Sequence, residues 1–155
     1  MGPMRVSAKA DYAVRAAVEL AVAPADQPVQ SDAIAAAQQI PLPFLANILV
    51  ELRQHGLVQS EQGADSGYRL ARTPSEITIG EVISSVDGPL ASVHGAEPDQ
   101  LAYHGTAEPL QGVWIALRTN VHSVLDTVTL ADVVAGDLPD PVRGLAEHPD
   151  SALDR

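Results

Sequence analysis

Residues 31–70 read SDAIAAAQQIPLPFLANILVELRQHGLVQSEQGADSGYRL, and this stretch decides the fold. Ser31 can cap a short helix, and Pro43 suits the first position of a second helix because its missing N–H costs nothing there. Four apolar residues then recur at the helical period and predict a buried face: Leu45, Ile48, Leu49 and Leu52. Gly56 ends that helix. Two helices joined by a short turn form a helix-turn-helix.

A polar, glycine-bearing segment, residues 61–67, follows this unit and separates two short runs that are typical of strands. Residues 57–60 precede it and residues 68–70 follow it, which predicts two short strands joined by a flexible loop. A helix-turn-helix followed by a small hairpin is a winged helix. We therefore predict a mainly α fold with a small β wing.

Helices on both sides complete this domain. Ser7 can cap a first helix that runs to about Val22. Within it Asp11 precedes Arg15 by one turn, the order that favours an ion pair. Thr78 and Glu81 form the pattern of a capping box, which predicts a later helix that ends at residues 87–89.

The second half of the chain carries one long apolar stripe. We predict a helix over residues 109–128, where apolar residues alternate at spacings of three and four as in a coiled-coil seam: Leu110, Val113, Trp114, Leu117, Val121, Val124, Leu125 and Val128. A stripe of this length on a small domain needs a partner, so we predict a homodimer. Trp114 is assigned to the dimer interface in preference to a small-molecule pocket shared with Tyr103.

Charge and cysteine content exclude several classes of protein. The net charge is -11, but residues 1–75 carry six basic and seven acidic side chains, whereas residues 76–155 carry three and thirteen. Any contact with nucleic acid is therefore expected in the first half. The absence of cysteine excludes disulfides, thiol nucleophiles and ordinary iron–sulfur sites.

Other motifs are missing as well. The sequence has no phosphate-binding glycine loop, nucleophile elbow or paired-histidine zinc motif, so we predict that it is not an enzyme. No apolar run approaches the roughly 20 residues that span a bilayer, and no leader precedes the first helix, so a cytoplasmic protein is expected.

Several fragments, in this order and spacing, resemble one family of bacterial regulators. The fragments are residues 4–9 and 11–15, residues 49–53 with 56–58, residues 67–72, and residues 77–89. Together they resemble the Rrf-two (Rrf2) family, the IscR/NsrR-type winged-helix transcription regulators, from Met4 to about Val134. The resemblance implies a homodimer that binds a palindromic operator in double-stranded DNA, expected here to be a repressor. Many members sense their signal through three cysteines in the loop before the long helix.

The corresponding loop here, between Ser92 and Glu108, contains no cysteine. We therefore expect a member without an iron–sulfur cluster and without a cofactor, whose loop responds instead to a small-molecule or protein effector. In some nitric-oxide-sensing members a carboxylate ligand stands at the place of Asp11, for which pairing with Arg15 is the preferred interpretation here.

The third helix supplies the candidate base contacts. Its face opposite the apolar stripe carries Pro43, Phe44, Ala46, Asn47, Glu51 and Gln54. Asn and Gln can pair with adenine through two hydrogen bonds, and Phe or Ala can contact a thymine methyl group. The side chains that could bind phosphate are Arg5, Lys9, Arg53, Arg69 and Arg72, and of these Lys9 and Arg69 are the preferred contacts. The wing adds Gln62. Glu61 and Asp65 on the wing oppose the approach of phosphate.

Two other functions remain open. A winged helix that binds a protein and little or no DNA would agree with the acidic wing. A metal sensor would use His94 and His104, but their ten-residue spacing matches no compact site and exposed loop histidines are the preferred interpretation.

These predictions divide the chain into five parts. Residues 1–3 are interpreted as an expression scar, residues 4–89 as the winged-helix DNA-binding domain and residues 90–107 as a sensor-type loop without cysteine. Residues 108–136 hold the dimerisation helix and a short final helix, and residues 137–155 are predicted to be a disordered tail.

Overall fold

The computed structural model describes residues 6–63 and 66–147. Within them the chain forms seven α-helices and one two-stranded sheet, which confirms the mainly α class with a β wing. The elements in chain order are α1 (Ala8–Val22), α2 (Ser31–Gln38), α3 (Leu42–Gln54), β1 (Val58–Glu61), β2 (Gly67–Leu70), α4 (Ile79–Asp87), α5 (Leu110–Leu125), α6 (Leu130–Ala135) and α7 (Asp140–Glu147).

The hydrophobic core lies among α1, α2, α3, α4 and α6. Helix α1 is at its centre, and its inward positions are small: Ala10, Ala13, Ala16 and Ala17 are buried. Small side chains let neighbouring helices approach α1 closely. Larger side chains from the neighbours fill the remaining volume: Ile34, Leu45, Ile48, Leu49, Leu52, Val82 and Leu130. Because the alanines bring the helices close together and aliphatic side chains fill the remaining space, the interior can pack closely with few aromatic residues.

The wing is an antiparallel hairpin in which Val58 pairs with Leu70 and Glu61 with Gly67. A third segment extends it, because Val29 and Tyr68 exchange two backbone hydrogen bonds of 2.8 Å. Gly67 allows this approach: a Cβ atom there would lie 2.8 Å from the carbonyl carbon of Val29. The wing is thus fixed to the linker that precedes α2.

Helix α6 belongs to the same core, although the sequence suggested grouping it with the dimerisation helix. Leu130 is fully buried, and its N–H donates to the carbonyl of Ile77 at 3.0 Å. The N–H of Ile79 donates to the carbonyl of Val128 at 2.9 Å. A capping box between Thr129 and Asp132 begins the helix. The chain therefore leaves the core after α4, forms α5, and returns.

The C-terminal segment differs from its prediction. Residues 137–155 were expected to lack order, but α7 spans Asp140–Glu147. Arg143 stabilises its first turn through an ion pair with Asp140. The predicted scar at residues 1–3 and the end of the tail, residues 148–155, lie outside the described residues.

In the described ranges, no individual helix has both the length and the apolar character that a membrane crossing needs; α2 and α3 pass that test jointly but are bent by 117° at their junction.

Candidate nucleic-acid interface

Helix α3 presents two faces of opposite character. One is fixed in the core, since Leu45, Ile48, Leu49 and Leu52 are buried. The other holds all five predicted base-contacting residues of this helix, each of them exposed: Pro43, Phe44, Ala46, Asn47 and Gln54. Because the buried face fixes the rotation of α3, the exposed face is presented in one orientation.

Val50 lies on this exposed face and was not among the predicted residues. It is 38% exposed. It stands three residues after Asn47 and four before Gln54, so helical spacing alone could have revealed it. An apolar side chain between two amides adds a group that can contact a thymine methyl.

The N-terminal end of α3 rests on α1. Phe44 is 60% exposed, and its ring lies 6.4 Å from that of Tyr12. The Arg15 guanidinium stacks 4.9 Å from the Tyr12 ring and donates to the carbonyl of Gln38 at 2.8 Å. Arg15 also pairs with Asp11 at 3.0 Å, as predicted. These contacts tie the turn between α2 and α3 to α1.

The two predicted phosphate contacts are both engaged by carboxylates. The Lys9 ammonium lies 2.9 Å from Oε1 and 2.8 Å from Oε2 of Glu51, which belongs to α3. Arg69 on the wing lies 2.9 Å from Glu61 on the adjacent strand. The sequence did not predict either pair, because the partners are far apart in the chain or paired across the hairpin.

Arg53 is in a different situation. It is exposed in the last turn of α3 and donates to the hydroxyl of Ser60 at 3.2 Å. Among the described residues no carboxylate lies within 4.0 Å of its guanidinium. An open cleft of about 770 Å³ separates the end of α3 from the wing, and Arg53, Ser60 and the predicted Gln62 line it.

Arg72, just after the wing, is directed to α4. Its guanidinium hydrogen-bonds to Glu81 at 2.6 Å, which raises the pKa of Arg72 and holds the pKa of that carboxyl below its ordinary value. Glu81 also completes the capping box with Thr78. This pair therefore fixes the base of the wing to the start of α4.

Helix α5 has little cover within the chain. In its described length, 110–125, no residue is buried. Leu110 is 39% exposed and Val113 is 53% exposed. The other predicted interface residues are half-buried: Trp114, Leu117, Val121, Val124 and Leu125. Helical geometry puts the two exposed residues on one side with Leu117, Val121 and Val124, so this side is continuous and only partly covered. We call it the open side of α5.

Trp114 is turned toward its own loop instead. Its indole N–H donates to the hydroxyl of Tyr103 at 2.8 Å. Arg118, one turn further, lies 2.8 Å from Glu97 and 3.5 Å from Asp99, and the Glu97 contact raises the pKa of Arg118. Gln111 donates to the backbone carbonyl of Leu101 at 2.6 Å. Side chains of α5 therefore hold the loop 90–107 in place.

Comparison with known proteins agrees with this architecture. The family model described as "Rrf2: Iron-dependent Transcriptional regulator" matches residues 6–136. The chain is 50% identical over 144 residues to an HTH-type transcriptional regulator of Mycobacterium tuberculosis strain H37Rv, a match that covers 93% of this chain and 89% of that protein. It is 32% identical over 132 residues to the HTH-type transcriptional regulator CymR of Bacillus subtilis, covering 85% and 91%.

Two solved structures are also similar. CymR of B. subtilis matches with a TM-score of 0.72 and 30% identity, over 86% of this chain and 98% of that chain. IscR of T. potens matches with a TM-score of 0.70 and 32% identity, over 85% and 87%.

The family is described as iron-dependent, so the donor groups of this chain matter. The sequence has no cysteine. Across residues 6–63 and 66–147, no group of three or more His, Asp or Glu side chains is arranged to hold a metal ion. The two histidines considered as metal ligands, His94 and His104, are exposed in the loop. The residues present do not fit a thiolate-ligated iron–sulfur cluster.

Proposed function

The chain belongs to the Rrf2 family of transcriptional regulators, and on that premise we propose that it is a homodimeric DNA-binding repressor that works without an iron–sulfur cluster. The observation that carries the proposal is the exposed face of α3. It combines two amides, Asn47 and Gln54, with the apolar groups of Phe44, Ala46 and Val50. This mixture suits base edges in the major groove better than it suits a phosphate backbone.

The open side of α5 supports the homodimer. An apolar side formed by Leu110, Val113, Leu117, Val121 and Val124 would be buried if two copies packed along this helix. A two-fold symmetric pair presents two α3 helices, so its operator is expected to be palindromic. Half-sites in such operators lie about 34 Å apart, or a multiple of one helical turn.

The signal is proposed to act on the loop 90–107. In the absence of cysteine, the side chains that join this loop to α5 are Gln111, Trp114 and Arg118. A small molecule or a protein that competes for these contacts would change the loop without metal chemistry. The site of action is expected to be the cytoplasm, where DNA is found.

The test is a mobility-shift titration of Asn47→Ala with a duplex selected from genomic fragments and with a random duplex. We expect the variant to lose about 1–3 kcal/mol of affinity for the selected duplex and little for the random one, because Asn47 reads bases. Gln100→Ala removes an exposed amide from the loop and serves as the control. Equal affinities of wild type and Asn47→Ala for the selected duplex would refute α3 as the reading helix.

A protein-binding winged helix is the second candidate, and the pairing of Lys9 and Arg69 with carboxylates favours it. Two cations that are already neutralised weaken the attraction of the surface for phosphate. If the wild type binds no duplex at low salt in any preparation, this second function replaces the first.

A further inference from the structure

The positive charges of the described residues are distributed unevenly, and this bears on how the proposed DNA complex forms. Seven Lys and Arg side chains lie in the described ranges. Six of them have a carboxylate within 4.0 Å: Lys9, Arg15, Arg69, Arg72, Arg118 and Arg143. Arg53 is the seventh and has none among those residues.

The pairing of Lys9 is especially close. Both oxygens of Glu51 lie within 2.9 Å of its ammonium, and Glu51 is on α3 beside the reading face. Lys9 carries a single positive charge, so a phosphate that binds it either exchanges with this carboxylate or shares the ammonium, whose three N–H donors allow both. Such an exchange replaces one anion with another and leaves Glu51 uncompensated next to DNA, so it adds little to the salt-dependent part of affinity. The same reasoning applies to Arg69 and Glu61.

Arg53 has the opposite properties. Its guanidinium is held by a neutral hydroxyl, that of Ser60, at 3.2 Å. Asp32 and Glu61 line the adjoining cleft with it, but neither comes within 4.0 Å of the guanidinium. A planar guanidinium can bind a phosphate through two parallel hydrogen bonds, and among the described residues there is no carboxylate that Arg53 must release first.

We propose that Arg53 is the main phosphate ligand of the winged-helix surface, and that Glu51 and Glu61 keep Lys9 and Arg69 from binding phosphate. This inference rests on the proposed DNA-binding function and specifies its electrostatics. The sequence-independent part of the affinity is then small, and occupancy of DNA depends mainly on the base contacts of α3.

The experiment measures how steeply the logarithm of the association constant falls with the logarithm of the salt concentration. It is done with the selected duplex and with a random duplex. Arg53→Gln should reduce the slope by about 0.9 for each phosphate that the variant no longer neutralises. The double variant Lys9→Gln/Glu51→Gln removes a neutral pair and should leave the slope unchanged. The single variants Glu51→Gln and Glu61→Gln release a cation and should steepen it by about 0.9 for each phosphate that this cation then neutralises.

Asp140→Asn is the matched control. It makes the same change in net charge and removes the nearer of the two carboxylates beside an arginine, Arg143, but on α7. Its slope should equal that of the wild type. Thermal melting of every variant is recorded alongside, and all of these exposed or half-exposed positions should melt near the wild-type temperature.

Two outcomes overturn the inference while the wild type still binds DNA. One is an unchanged slope in Arg53→Gln. The other is a decrease of slope in the Lys9/Glu51 double variant as large as that in Arg53→Gln. A wild type that binds neither duplex at low salt would overturn the proposed function itself, and the inference with it.

Discussion

Helices α3 and α5 have similar apolar periodicity, yet they differ in how much of the apolar side the rest of the chain buries. Four apolar residues of α3 are almost completely buried, whereas no residue within 110–125 is buried in α5. The core around α1 covers α3, but the loop 90–107 covers one side of α5 and leaves the other partly exposed. Periodicity therefore identifies an amphipathic helix in both cases, while the structure tells whether its partner lies in the same chain.

The two regions also differ in how they hold charge. Around α3 and the wing, Glu51 of α3 neutralises Lys9 of α1, and Glu61 of β1 neutralises Arg69 of β2. On α5, Arg118 holds the loop through Glu97 and Asp99. In the first region the ion pairs neutralise the positive charge of the surface. In the second they hold the loop 90–107 against α5.

The largest effect is expected when charge is placed on the open side of α5. In Leu117→Glu/Val121→Glu, dimerisation would bury unpaired carboxylates, so we expect the dissociation constant of the dimer to rise by on the order of a hundredfold or more. Sedimentation equilibrium measures the change.

Thr119→Glu/Ser123→Glu adds the same charge at the same spacing to exposed polar positions of α5 outside this side and is the control. A wild type that sediments as a monomer at micromolar concentration would refute the assignment of this side.

The next largest effect is expected in the core. Leu49→Ala removes a side chain with no exposed surface and should lower the free energy of unfolding by about 2–5 kcal/mol. Val22→Ala removes a side chain that is 61% exposed and should change it by less than about 0.5 kcal/mol. Urea unfolding distinguishes them, and similar destabilisation of the two variants would contradict the packing of α3.

A smaller effect is expected where the wing meets the linker. Gly67→Ala would put a methyl group against the backbone of Val29 and should cost about 1–3 kcal/mol. Gly63→Ala is the matched control, since Gly63 also has a positive φ, of 106°, but its Cβ would meet no atom within 4 Å. Faster hydrogen exchange of the Tyr68 amide in Gly67→Ala alone would locate the damage at the Val29 contact.

The smallest expected effect concerns Glu81. Its pKa in the folded protein is lowered by the hydrogen bond from Arg72, so the pair stabilises the fold above the ordinary pKa of a glutamate and loses that contribution as the pH falls through the lowered value. Glu81→Gln should cost about 0.5–1 kcal/mol near neutral pH, a figure kept low because the pair is partly exposed.

The difference in unfolding free energy between wild type and Glu81→Gln should therefore shrink in acid. Chemical unfolding at neutral and acidic pH tests this, with Glu108→Gln as an exposed control. A difference that grows as the pH falls would contradict the direction of the shift.

The sequence predicted most of the fold because its signals are local. The stripe of α3, the capping box at Thr78 and the Asp11–Arg15 pair all act within one or two helical turns, and each is present in the structure. The resemblance to the family rests on similar local stretches, and the family model matches residues 6–136.

What the sequence could not predict depends on contacts between distant residues. Lys9 and Glu51 are 42 positions apart, and no local pattern joins them. The return of α6 to the core depends on backbone hydrogen bonds between residues 77–79 and 128–130. Helix α7 was missed because prolines and acidic residues dominate its segment, although Asp140 and Pro141 also suit the first turn of a helix.

The return of the chain to the core after α5 has a mechanical consequence. Backbone hydrogen bonds at Ile79 and Leu130 hold the C-terminal end of α5 against the domain that contains α3. In a dimer joined through α5, the two α3 helices would then be separated by a distance set by rigid packing rather than by a flexible hinge. A change of half a turn in operator spacing should therefore abolish simultaneous contact, and insertion of about five base pairs between half-sites would measure that stiffness directly.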